Sequence, residues 1–73
     1  MKYNSNINLP NDNGATPLFL ACLKGHKEIV EILLKYNSSV DLARNDGVTP
    51  LFISCYKGHK EIVEILLKSK AKD

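Results

Sequence analysis

The 73-residue chain has no tryptophan, one methionine, two cysteines and a single arginine beside nine lysines. It has no apolar run approaching the roughly 18 residues of a membrane span. Its opening stretch, MKYNSNINLPNDNG, is polar and lacks the apolar core of a secretory signal. A membrane-spanning or secreted chain is therefore not expected, and an intracellular, cytoplasmic location is. Charge of one sign is also scarce, since ten basic against eight acidic residues leave +2. That is too little to imply a nucleic acid or a membrane surface as partner. The length allows one small domain, which buries a modest fraction of its surface and is marginally stable.

What the chain does have is itself, twice. Gly14–Lys35 reads GATPLFLACLKGHKEIVEILLK and Gly47–Lys68 reads GVTPLFISCYKGHKEIVEILLK. The two blocks differ only at the pairs Ala15/Val48, Leu20/Ile53, Ala21/Ser54 and Leu23/Tyr56. A fixed period of this size means a unit that buries its apolar face against a copy of itself. The first residues are in register too: Lys2-Tyr3-Asn4-Ser5 matches Lys35-Tyr36-Asn37-Ser38, and Leu9 matches Leu42. The expected organisation is the end of a preceding repeat and its loop over 1–13, one repeat over 14–46, and a second, truncated repeat over 47–73. That layout fits an excerpt of a longer array, or a short form that borrows its ends from elsewhere.

Each unit is punctuated by residues with defined backbone roles. Thr16 and Thr49 are placed to cap a helix with the side-chain oxygen. Pro17 and Pro50 then take the first helical position, where a missing N–H costs nothing. Short helices over Leu18 to about Lys24 and Leu51 to about Lys57 are expected. Gly25 and Gly58 should end them in the left-handed conformation. Longer helices, opened by His26 and His59, should run to about Lys35 and Lys68, with the polar residues Lys68–Asp73 as a tail. The run Ile29, Val30, Ile32, Leu33, Leu34 is too wide for a one-sided surface helix, so burial between neighbouring repeats is expected. Glu31–Lys35 and Glu64–Lys68 have the spacing of weak i,i+4 pairs on a solvated face. Asn11-Asp12-Asn13-Gly14 and Arg44-Asn45-Asp46-Gly47 read as four-residue turns with glycine last.

Gly-x-Thr-Pro-Leu, then Ala21, Gly25-His26, Ile29-Val30 and Leu33-Leu34, resemble the ankyrin repeat. Gly47, Thr49, Pro50, Leu51, Gly58-His59, Ile62-Val63 and Leu66-Leu67 repeat the pattern 33 residues on. The resemblance covers nearly the whole chain. It implies an all-α fold, an ankyrin-repeat solenoid of stacked helix–turn–helix units with β-turn or hairpin loops. Three departures stand out. Phe19 and Phe52 replace the family's histidine and remove a polar link to the threonine. Ser54 replaces a small alanine. Arg44 stands where an acidic turn residue is usual. The terminal repeats also carry ordinary interior sequence, whereas solenoids usually have three or more repeats and polar outer caps.

Chemistry is sparse. His26 and His59 lack the second histidine, four residues on, of a zinc helix, so capping and packing are expected of both. Glu28, Glu31, Glu61 and Glu64 lie among lysines and read as a solvated face. Cys22 and Cys55, at equivalent positions about 10 Å apart in a stack, are too far for a bridge and read as small buried apolar residues. No serine or cysteine has a base beside it in a catalytic arrangement, and no phosphate loop is present. No catalysis, metal or cofactor is expected, and the acceptor triplet Asn37-Ser38-Ser39 is idle without secretion. Lys24, Lys27, Lys57 and Lys60 form at most a small basic stripe, and the glutamates between them argue against nucleic acid.

The varying positions direct attention to a partner surface, because a stacked scaffold is free to vary what faces outward. By resemblance, turn tips and short helices form a concave binding face. Here it would comprise Asp12, Asn13, Ala15, Leu23 and Lys24, then Asn45, Asp46, Val48, Tyr56 and Lys57, with Tyr56 as the best anchor. The expected function is a non-enzymatic protein-interaction module or scaffold. The alternatives are a structural repeat that completes its solenoid by self-association through exposed end faces, such as Ile62, Val63, Leu66 and Phe52 at one end, and a segment of a larger protein whose chemistry lies elsewhere.

Overall fold

The structure, a computed structural model, describes residues 7–36 and 38–71, the last two as backbone only. The register match at Lys2-Tyr3-Asn4-Ser5 and the acceptor Asn37 lie outside the described residues. Four helices follow one another: α1 Pro17–Lys24, α2 Lys27–Lys35, α3 Pro50–Tyr56 and α4 Lys60–Ala71. There is no strand among the described residues. Each unit is a short helix packed antiparallel to a longer one, and the units stack α1 on α3 and α2 on α4.

Local chemistry sets the helix ends. The Thr16 hydroxyl accepts from the Phe19 N–H at 3.2 Å, and the Thr49 hydroxyl from the Phe52 N–H at 3.1 Å. Phenylalanine in place of histidine thus leaves the caps intact, each typically worth about 1 kcal/mol. At the other end both short helices close with the same pair of bonds. The Gly25 and His26 N–H groups donate to the Cys22 and Ala21 carbonyls, and the Gly58 and His59 N–H groups to those of Cys55 and Ser54. This closure puts Gly25 and Gly58 at φ of 77° and 76°, where a side chain is strained.

Leu18, Phe19, Ala21, Cys22 and Val30 from the first unit meet Ile53, Ile62 and Leu66 from the second in one buried cluster. The Ser54 hydroxyl, fully buried, donates to the Pro50 carbonyl at 2.8 Å and so carries no unsatisfied polar atom into the core.

Several expectations are corrected. α4 does not end near Lys68 but continues to Ala71, since nothing in Ser69-Lys70-Ala71 breaks a helix. The long helices are not sandwiched. In α2 only Val30 is buried, while Ile29 and Ile32 are about half exposed, because α4 covers one flank and no described element covers the other. Cys55 is exposed where Cys22 is buried, for the same reason at the opposite end. Cys22, shielded by α3, has its thiol pushed up by burial, partly offset by a hydrogen bond with Ser54. The pairs Glu31–Lys35 and Glu64–Lys68 do not close. Ion pairs form instead between Lys27 and Glu61, across the units at 3.7 Å, and between Arg44 and Asp46 at 2.8 Å. Solvated long side chains gain too little from each other to hold one geometry.

Candidate functional site

The turns before α1 and α3 are tight and alike. The Gly14 N–H donates to the Asn11 carbonyl at 2.9 Å and the Gly47 N–H to the Arg44 carbonyl at 2.7 Å. Different side chains lock them. In the first, Asn11 Oδ1 accepts from the Asn13 and Ala15 N–H groups at 2.9 and 3.0 Å. In the second, Asp46 Oδ1 accepts from the Val48 N–H at 3.2 Å. Asp46 is held in turn by Arg44, whose Nε and terminal nitrogen donate to its two oxygens at 3.1 and 2.8 Å.

The two tips are joined. The Asn45 N–H donates to the Asn13 carbonyl at 2.9 Å, and Asn45 Nδ2 lies 3.4 Å from the Asp12 carbonyl oxygen. Asp12, Asn13, Asn45 and Asp46 are all exposed, and Asn13, Arg44, Asn45 and Asp46 line a shallow groove. The ridge therefore presents two carboxylates, one of them paired with a guanidinium. The guanidinium holds the Asp46 carboxyl below the usual carboxylate range, with the Val48 N–H assisting.

A folded-state value below the unfolded one stabilises the protein above the unfolded value and loses that contribution as pH falls. Below about pH 3.9, the ordinary aspartate value, the parent should lose melting temperature more steeply than Asp46→Asn. Because the pair is exposed the difference will be small. Parallel slopes in thermal melts across that range would refute it.

At the far ends of the short helices a second group gathers. Tyr56 is 73% exposed and stacks on Phe52, with ring centroids 6.3 Å apart at 12°. Lys57 Nζ lies 6.0 Å from the centre of the Tyr56 ring. Lys24 is exposed and Leu23 half-buried. Helices of eight and seven residues separate Lys24 and Lys57 from the tips by about 10–12 Å, while Phe52 lies in the first turn of α3. The expected face thus resolves into an acidic ridge and a basic aromatic end.

Two expected members fit less well. Ala15 is 3% exposed and belongs to the buried cluster, so its side chain offers a partner nothing. Val48 is half-buried against the same cluster. Both follow the turn glycine directly, where the chain dives toward the capping threonine. The expected face left out Arg44 and Phe52. Arg44 spans the groove and also sets its Cζ 4.8 Å from the centre of the buried Phe19 ring. These two departures from the repeat pattern therefore compensate each other, a pairing of the kind worth about 0.5–1 kcal/mol or more. The signal for Arg44 was its being the only arginine. Phe52 was legible only as part of an end stacking face, and of its expected companions there Ile62 and Leu66 are buried.

His26 and His59 also differ. His26 stands at the start of α2, exposed and making no side-chain capping bond. His59 reaches back to the first unit, with Nε2 3.4 Å from the Leu23 carbonyl oxygen, to which its ε-tautomer donates. Of the expected capping and packing, His59 supplies packing as a tie between units.

Among the described residues, no three His, Cys, Asp or Glu side chains converge as metal ligands, and no helix is long and apolar enough to cross a membrane. A search of curated proteins found no match. A family model described as ankyrin repeats, in three copies, matches residues 1–73. Such repeats are generally protein–protein interaction modules and typically non-enzymatic. With its stacked helical pairs, glycine-closed short helices and paired turn tips, the chain belongs to the ankyrin-repeat family.

Proposed function

We propose that this chain is a non-enzymatic, intracellular interaction module that holds a partner protein along the ridge of turn tips and the exposed ends of α1 and α3. The observation that carries the reading is the bond between the tips. With Asn45 tied to Asn13 and each turn locked internally, the ridge is ordered before a partner arrives. Little conformational entropy then opposes binding. Tyr56, mostly exposed yet fixed on a helix against Phe52, supplies large area and a polar tip. The charge layout favours a partner that sets a cationic group on the Asp12 side and an acidic one near Lys24 and Lys57.

The test is affinity capture from source-cell lysate with the parent chain and with an Asp12→Ala, Tyr56→Ala variant of equal melting temperature. A protein retained by the parent and lost by the variant identifies the face. Identical capture by both refutes it.

A further inference from the structure

The two units are nearly the same sequence in different surroundings, so exposure at paired positions maps which flank of each unit is covered among the described residues. Phe19 is 0% exposed and Phe52 is 56%. The same reversal holds between buried Cys22 and exposed Cys55. These mark the flank of the second unit that has no neighbour among the described residues. On the first unit the opposite flank is open: Ile62 is 2% exposed and its equivalent, Ile29, 47%. The glycines agree. A methyl at Gly25 would meet the His59 ring at 2.8 Å, whereas Gly58 has open space.

The joint inside the chain thus seats the Ile62 flank on the Phe19 flank. Among the described residues the flanks left uncovered are those of Ile29 and Phe52, the same two surfaces. We propose that a second copy of this chain docks head to tail, its α1–α2 flank on the α3–α4 flank of the first, in the register of the internal repeat.

The register makes the contacts explicit. His26 of the incoming copy lies against Gly58 and reaches the Tyr56 carbonyl, as His59 does at Gly25 and Leu23. Glu28 of the incoming copy faces Lys60, as Glu61 faces Lys27. Ile29 and Leu33 take the places that Ile62 and Leu66 hold within the chain. Two positions are poorer than inside. Asn11 stands where Arg44 covers the phenylalanine ring, and Asp12 stands where Asn45 ties the tips, bringing a carboxylate toward Asp46. The intermolecular joint is accordingly weaker than the internal one. Because each docked copy leaves another pair of flanks open, the contact propagates instead of closing.

The experiment is sedimentation velocity over a wide concentration range. For the parent, mass should climb with concentration past twice 8.1 kDa without a plateau. A single 8.1 kDa species at millimolar concentration, or a plateau at the dimer, overturns the proposal. Ile29→Glu and Phe52→Glu each remove one flank. Both place an acid in the first turn of a helix, where it is tolerated, and circular dichroism checks their folding. Each alone should be monomeric, and a mixture should form a one-to-one pair and stop there. A dimer formed by either variant alone overturns the head-to-tail arrangement.

A gain-of-affinity variant needs no damaged face. Asn11→Arg, Asp12→Asn and Asn13→Asp together copy the second turn onto the first, so an arginine covers Phe52 of the next copy. Association should tighten roughly two- to fivefold, and Cys55 should alkylate more slowly as concentration rises. Unchanged affinity refutes the register.

Discussion

Replacing Phe19 by alanine should destabilise the chain by about 3–5 kcal/mol, the usual cost of emptying a phenylalanine site in a packed core. The same change at Phe52, measured at a concentration where the chain is monomeric, should cost less than about 1 kcal/mol. The residues around the two are nearly identical, so the contrast isolates packing. Phe19 is fully buried between the units, under the Arg44 guanidinium. Phe52 rests its ring on Tyr56 with the other face in water. Small domains have roughly 0.05–0.15 kcal/mol of stability per residue. For 73 residues that is about 4–11 kcal/mol, so a loss of this size should move the Phe19→Ala transition to much lower urea. Urea denaturation followed by circular dichroism checks both variants, and equal losses would mean that the second unit does not cover the first as described.

The second large effect is expected at Gly14. It has φ of 83°, and a methyl there would collide with the Asn45 side chain and stand 2.8 Å from the Asn45 backbone nitrogen. Gly47, at φ of 88°, has nothing within 4 Å of the same methyl. Both alanine variants bear the left-handed penalty, about 1–2 kcal/mol. Gly14→Ala must also push the tips apart and lose the bond from the Asn45 N–H to the Asn13 carbonyl, about 1 kcal/mol more. Gly14→Ala should therefore be the more destabilised of the two in denaturant titrations. Equal midpoints would show that the tips are not locked together. The result also bears on function, since the ridge is argued to be ordered by that bond.

Most of the architecture was legible in the residues, for a physical reason. Capping threonines, first-turn prolines and helix-ending glycines act through bonds within a few residues of themselves. Their effect does not depend on what lies across the fold. The helix limits other than the end of α4, the turns before α1 and α3 and the stacking period follow from such local rules and from the 33-residue repetition.

The candidate surface was less legible. Position in the repeat correctly put Asp12, Asn13, Asn45, Asp46, Tyr56 and Lys57 outside. It erred at Ala15, where variation between repeats signalled a size tolerance in the core instead of exposure. It marked Arg44 as a departure from the repeat pattern without giving it a role, because the aromatic ring under its guanidinium is distant in sequence.

By itself, then, the sequence determined the unit: its helices, its caps, its turns, and the fact that one unit packs on another. Only the tertiary structure decided which of two identical residues is buried. Phe19 and Phe52, Cys22 and Cys55, Ile29 and Ile62 carry the same local information and end in opposite surroundings. Burial belongs to the neighbour across the stack, and each unit has such a neighbour on one side only within the described residues.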